Sequence, residues 1–342
     1  MDEREESQMG TILQFVNQIA EAIEEDYPDK LISTLAYAYS RTPPKTIRAR
    51  NNVVVRLAII GLCYSHPLGT CDYPRRSPGA PVAVLEDMRK WSRIANRLFV
   101  WDYVINFRHW LMPQPNLYVL KPNMQFFVKN HVTELFPQAD PFNKMGEFSE
   151  LRAYLLAKLM WNPDYDVDKG INEFLEAYYG QAAQPIHAYI DMLHKKVKDE
   201  RIHMPHSVTT SRLFSPDVMK RANTLFDEAE QLADNEGILF RVKVARLSVQ
   251  YLDLLTGSEG DPGRKLLVND FFEIADKAGI LYLGEGWGRK NTDHMRTRKG
   301  NDFGKWSCPA CSKLFISFNG EELETVKTAH ETIWCPILNA AD

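Results

Sequence analysis

The chain contains 342 residues, of which 44% are hydrophobic and 25% charged, and its formal net charge is −4. These values are ordinary for a globular protein, and a slightly acidic chain gives no electrostatic reason to expect a nucleic-acid partner. No run of about 18 apolar residues predicts a membrane span, and the charged residues 1–10 are unlike a signal peptide. The chain as given is expected to be cytoplasmic, or exported if its gene starts upstream with a signal.

Short apolar segments alternate with amphipathic ones over the first 145 residues. Apolar residues at helical spacing predict helices, and short apolar runs that end in turn residues predict strands. In chain order these are a helix over 11–25, strands over 31–37 and 53–62, a helix over 84–96, a strand over 98–104, a helix over 122–130 and a strand over 132–136. The alternation favours about four parallel β/α units. The connection over 38–52 is too rich in proline for a regular helix.

The character of the sequence changes after Met145, because helical periodicity recurs and no segment predicts a strand. Helices are predicted over 148–161, 171–179, 185–198, 217–233, 238–255 and 266–278. From Gly284 the chain is rich in glycine and basic residues without an apolar period, which is typical of a loop or a tail. We therefore predict a β/α part over 1–145, a helical domain over 146–283 and a Cys-containing tail over 284–342.

Candidate site residues lie where the predicted strands end, because parallel β/α proteins bind ligands at the carboxyl ends of their strands. Aromatic faces stack on the C–H faces of sugar rings, while carboxylate, amide and guanidinium groups bind sugar hydroxyls. No glycine-rich phosphate loop argues for a nucleotide instead. The residues expected to line a carbohydrate site are Tyr37, Arg41, Arg56, His66, Trp101, Asp102, Tyr103 and Gln138.

Asp102 is the main catalytic candidate because it interrupts the apolar run over 97–107. A buried carboxylate without a partner costs on the order of several kcal/mol, so its position favours a catalytic or hydroxyl-binding role. An aspartate at a strand end also caps a following helix or pairs with a nearby arginine, and that structural interpretation stays open.

The five cysteines are an odd number in a long chain, so reduced thiols are expected rather than a disulfide framework. In the tail, a C-x-x-C pair followed by one histidine and one cysteine matches the donor types of a tetrahedral zinc site. These residues are Cys308, Cys311, His330 and Cys335. A second closely spaced pair is absent from the pattern, so ordinary thiols are the preferred interpretation and no cofactor is expected.

The sequence resembles a family known mainly as a domain of unknown function, found in carbohydrate-degrading gut and soil bacteria. The resemblance covers roughly residues 8–200 and is carried by the segments GTILQFVN, LISTLAY, RTPP, NVVVR, WDY, LRAYLLAKLMWNP and FLEAYYG. It implies that the β/α part is the second half of a (β/α)8 barrel similar to those of α-glucuronidases and β-hexosaminidases, with the first half missing. An all-helical domain would follow that half.

One position departs from the family's pattern. Family members tend to carry Phe-Glu-Gln-Gly at the end of the last strand, whereas this chain has Phe-Pro-Gln-Ala over 136–139. The carboxylate expected at Pro137 is therefore absent. Because glycosidases use two carboxyl groups about 5–9.5 Å apart, this departure puts a complete catalytic pair in doubt.

The leading hypothesis is a glycoside-hydrolase-like protein of bacterial polysaccharide breakdown that binds a sugar or a uronic-acid-containing glycan at its strand ends. The alternative is a truncated or non-catalytic remnant that binds carbohydrate or a partner without turnover. Half a barrel would expose two sheet edges and an apolar face, so self-association or pairing with the missing half is expected. A zinc-stabilised interaction module, built on the helical domain and the tail, is the third hypothesis.

Overall fold

The computed structural model describes residues 1–73, 84–139, 146–205, 212–256, 262–280 and 282–284. The zinc ligands predicted in the tail, Cys308, Cys311, His330 and Cys335, lie outside the described residues. Within the described ranges, no helix combines the length and the apolar character that a membrane crossing requires.

The β/α part is built on four parallel strands, as the sequence predicts. They are β1 (Ile32–Ala36), β2 (Val53–Ala58), β3 (Arg97–Tyr103) and β4 (Val132–Gln138), and the sheet has the order β1-β2-β3-β4. The helices of this part are α1 (Asp2–Glu5), α2 (Met9–Glu24), α3 (Val84–Ile94) and α4 (Leu120–Lys129). Strands that follow one another in the chain are neighbours in the sheet, which is the order of consecutive β/α units.

The two faces of this sheet are different, because successive side chains of a strand point to opposite sides. One side, which we call the covered face, packs against α2 and α4 and carries fully buried apolar side chains. These include Val53, Val55, Leu57, Leu98 and Val100. The other side, which we call the open face, is only partly shielded by the described residues. It carries Leu35, Arg56, Phe99, Trp101 and Phe136.

The strand β2 is shorter than its apolar run suggests. The sequence predicts a strand over 53–62, but β2 ends at Ala58. Gly61 has a φ of +88°, in the left-handed region that glycine adopts without strain, so the chain turns at this point. Residues 59–73 therefore form a loop at the carboxyl end of β2.

The described residues of the second region form helices and no strand, which agrees with its periodicity. It contains α5 (Ser149–Trp161), α6 (Val167–Tyr179), α7 (Ala183–Glu200), α8 (Pro216–Leu232), α9 (Glu236–Thr256) and α10 (Arg264–Lys277). Each helix packs against the next one in the chain. The start of α6 lies before the predicted residue 171, because Asp166 caps it by accepting a hydrogen bond from the Lys169 backbone N–H at 3.0 Å.

A buried hydrogen-bond network joins the two regions. Arg152 of α5 donates to the side-chain oxygen of Asn116 at 3.2 Å, and the Asn116 amide donates to the Val104 carbonyl at 2.8 Å. Gln114 donates to the backbone carbonyl of Met204, which follows α7, at 3.1 Å. The loop that leaves β3 is therefore fixed to the helical region by buried polar contacts, whose loss would leave groups unsatisfied.

Candidate functional site

An aromatic and amide pair lies at the carboxyl ends of β3 and β4, on the open face. The Trp101 indole N–H donates to the Gln138 side-chain oxygen at 2.6 Å, across the register that pairs Trp101 with Phe136 and Tyr103 with Gln138. The Trp101 and Tyr103 rings are nearly parallel, with an interplanar angle of 15° and centroids 6.5 Å apart. The structure thus brings together three of the predicted carbohydrate-binding residues.

Asp102 also lies at this end of β3, but its side chain is on the covered face. It is buried, and one of its oxygens accepts the Tyr103 backbone N–H at 2.8 Å. Removal from water raises the pKa of this carboxyl to about 7, and the Tyr103 N–H opposes that rise. Asp102 therefore holds its proton to a much higher pH than an aspartate in water does.

The sheet register places Pro137 directly opposite Asp102 on β4. A glutamate at that position, as in the family's pattern, would lie beside Asp102 and provide a second carboxyl group. Proline offers no such group. Asp102 therefore has the protonation of a general acid but no carboxylate partner on its neighbouring strand β4.

Two further predicted residues lie on the open face. The Arg56 guanidinium lies over the Phe99 ring, 4.7 Å from its centroid. Tyr37 continues β1 in extended conformation, and 39% of it is exposed. Both residues share a face with Trp101, so they extend the aromatic and cationic surface toward the first strand.

Arg41 is not brought to this surface. It is buried and its Nε forms an ion pair with Asp87 of α3 at 2.9 Å. Its backbone carbonyl accepts the Trp91 indole N–H at 2.7 Å. Burial raises the pKa of Asp87, and the Arg41 guanidinium opposes that rise. Arg41 thus has a structural partner in α3, and its buried guanidinium is engaged there rather than exposed on the open face.

His66 lies in the loop after β2, in a separate group of cysteine and histidine side chains. Its Nδ1 is 3.3 Å from the Sγ of Cys63, and the group also contains Cys71 and His203. Sequence analysis missed this group as a unit. The available signal was the close spacing of Cys63, His66 and Cys71, whereas His203 lies 132 residues beyond Cys71 and only the fold brings it near.

The helical region contains a cleft of about 220 Å³ that sequence analysis also did not predict. Glu147, Glu150, Tyr178 and Arg241 are among its lining residues. Three of these residues bond to one another: Tyr178 donates to Glu150 at 3.4 Å, and Arg241 donates to the Tyr178 carbonyl at 2.8 Å. Glu147 accepts from the Tyr189 hydroxyl at 3.1 Å. These contacts give the cleft a structural explanation that requires no ligand.

Comparison with known proteins identifies one family. The model of the family described as "Domain of unknown function (DUF4838)" matches residues 1–191. No curated protein and no solved structure matches the chain. The matched residues include the whole sheet and α1 to α6.

Proposed function

The chain belongs to the DUF4838 family, and from this membership and the form of its sheet we propose that it is a glycoside-hydrolase-like protein that binds carbohydrate at its strand ends. In this proposal the sheet is half of a (β/α)8 barrel, and the open face is the inner face of that barrel. Four parallel strands in sequential order, with helices packed on the covered face, support this assignment.

The observation that carries the proposal is the Trp101–Gln138 pair. A partly exposed indole presents a flat apolar face to the C–H groups of a sugar ring, and the 2.6 Å hydrogen bond fixes the orientation of the indole and the amide. Two groups held in place in this way lose little conformational freedom when a ligand binds. Arg56, on the same face, would bind the carboxylate of a uronic acid, because guanidinium groups recognise carboxylates through paired hydrogen bonds.

The test is binding of neutral and uronic-acid-containing oligosaccharides, measured by titration calorimetry. We expect Trp101→Ala to weaken binding about tenfold or more, which corresponds to about 1.4 kcal/mol of lost stacking. Arg56→Gln should weaken binding of the acidic sugars alone. Trp161→Ala is the matched control, because Trp161 is 92% exposed at the end of α5 and should not affect binding.

Two results would contradict the proposal. One is the absence of saturable binding to every oligosaccharide in the panel by the folded full-length chain. The other is equal loss of binding in Trp101→Ala and Trp161→Ala, because a specific site at the strand ends cannot depend equally on an indole in the helical region.

Hydrolysis is a second candidate, favoured by the raised pKa of Asp102. A carboxyl group whose pKa is raised to about 7 keeps a proton for donation near neutral pH. The Asp102 side chain is buried on the covered face, so this candidate would require a sugar position different from the open-face position beside Trp101 and Gln138. This activity would require a second carboxyl group besides Asp102. Hydrolysis of aryl glycosides that is abolished in Asp102→Asn would support this candidate, and turnover that persists in Asp102→Asn would eliminate Asp102 as the acid.

A further inference from the structure

We propose that Cys63, His66, Cys71 and His203 form a tetrahedral zinc site that fastens the loop after β2 to the segment after α7. This inference is independent of the proposed carbohydrate function. It rests on the positions of four donor atoms, on the chemistry of those atoms and on the contacts around them.

The four donor atoms already lie close to the arrangement that zinc requires. One ligand atom from each residue is within 4.8 Å of the other three. Cys63 Sγ is 3.3 Å from His66 Nδ1, and Cys71 Sγ is 3.6 Å from His203 Nδ1. Zinc bonds of about 2.3 Å to sulfur and about 2.0–2.1 Å to nitrogen place tetrahedral donors roughly 3.3–3.8 Å apart. A small contraction of the group would therefore complete the site.

The donor set selects zinc on chemical grounds. Two thiolates and two neutral imidazoles in a tetrahedron are typical of zinc, since thiolate is a soft ligand and calcium or magnesium prefers oxygen. Binding replaces the two thiol protons, which pass to solvent, and the two thiolate charges balance the charge of the ion. Four protein donors leave no open position for a water or a substrate. The site is thus structural rather than catalytic.

A neighbouring carboxylate also favours His203 as a zinc ligand. The Nε2 of His203 is 3.6 Å from the Oδ1 of Asp72, so the ring nitrogen opposite the donor faces a carboxylate. Asp72 also forms an ion pair with Arg201. A carboxylate behind a ligating histidine fixes the ring orientation and raises its basicity, and this arrangement is common around protein zinc sites.

The proposed ion would hold together two segments that are far apart in the chain. Cys63 pairs with Pro205 in an isolated antiparallel bridge, and the Tyr64 N–H donates to the Met204 carbonyl at 3.1 Å. The Tyr64 ring then packs against Tyr103 with a centroid separation of 6.4 Å. Zinc would therefore stabilise the wall of the strand-end region that lies beside β3.

The direct test is the metal content of the purified full chain, measured by mass spectrometry after dialysis. We expect about one zinc per chain, reduced to near zero in Cys63→Ser and in His203→Ala. The matched control is the triple variant Cys308→Ser, Cys311→Ser, Cys335→Ser, which should keep its zinc. Loss of zinc in this control and not in Cys63→Ser would overturn the proposal, as would a metal-free chain with a Cys63–Cys71 disulfide.

A second measurement tests the proposal even if Cys63→Ser or His203→Ala fails to fold. Cobalt(II) substituted into the site should give the visible bands of a tetrahedral ion and sulfur-to-metal charge transfer. In His203→Cys a third thiolate replaces an imidazole, so the chain should still bind one ion and its charge-transfer absorption should increase. An unchanged cobalt spectrum in His203→Cys would show that His203 is not a ligand.

Discussion

The covered and open faces of the sheet use the same residue types for different purposes. Arg41, in the loop after β1, is buried against Asp87 of α3, whereas Arg56 of β2 lies over the Phe99 ring on the open face. Leu57 is fully buried on the covered face, and Leu35 is 42% exposed on the open face. The location of a side chain in the fold, more than its residue type, therefore decides whether it stabilises the fold or is accessible to a ligand.

The arginine pair offers the largest expected contrast. Arg41→Ala leaves the Asp87 carboxylate buried without its cation, which should lower the free energy of unfolding by about 3–5 kcal/mol. Arg56→Ala removes a contact with an aromatic ring and should cost about 1 kcal/mol or less. Denaturant unfolding of the two variants measures both values. Equal losses would show that the two arginine environments do not differ as described. The double variant Arg41→Ala, Asp87→Ala should recover part of the loss.

The two leucines test the same difference without any charge. Leu57→Ala creates a cavity in the core and should lower the free energy of unfolding by about 2–5 kcal/mol. The identical substitution Leu35→Ala removes a side chain that is already in contact with solvent, and its cost should be below about 1 kcal/mol. Thermal or urea unfolding gives the comparison. A large effect of Leu35→Ala would mean that the open face is covered in solution, as self-association would require.

The third prediction concerns the pH dependence of stability that Asp102 imposes. Its pKa is about 7 in the folded chain and 3.8 for an unperturbed aspartate. Because the folded chain holds this proton more tightly, the stability linked to Asp102 is fully present below the unfolded pKa and is lost as pH rises through the folded pKa. Between about pH 5 and pH 8 the loss should be roughly 2–3 kcal/mol.

Asp102→Asn has no proton to lose, so it should not share this component of the pH profile. The measurement is the difference between wild type and Asp102→Asn in urea unfolding at both pH values, since other titrating groups cancel in that difference. A difference that does not change with pH would refute the raised pKa of Asp102.

Periodicity was sufficient to predict four parallel strands and the helices of the second region, and the exceptions have local causes. The pattern predicts β4 over 132–136, because proline in a central strand removes a backbone donor. The strand in fact continues through Pro137 to Gln138. β4 is the last strand in the sheet order, where its outer side needs no donor within the described sheet. Including Gln138 in the strand is what aligns it with Tyr103 and brings it to Trp101.

The site was less predictable, because its contacts join residues that are distant in sequence. Asp102 and Trp101 were identified from one local run, and as neighbours in a strand they must point to opposite faces. Nothing in that run indicates which of the two faces the helices cover. Arg41 finds Asp87 across 46 residues, and the sequence contains many other acidic residues to choose from. His203 reaches Cys71 through tertiary packing alone.

The hydrogen bonds to Met204 indicate which fragments of this protein can fold on their own. The family match ends at residue 191, inside α7, whereas Met204 lies beyond that point. The Met204 carbonyl accepts from both Gln114 and the Tyr64 backbone. A chain cut at 191 would interrupt a helix and leave two buried donors without an acceptor. We therefore expect the cooperative folding unit to be longer than the segment that the family model matches, and the shortest autonomous fragment to extend past Pro205.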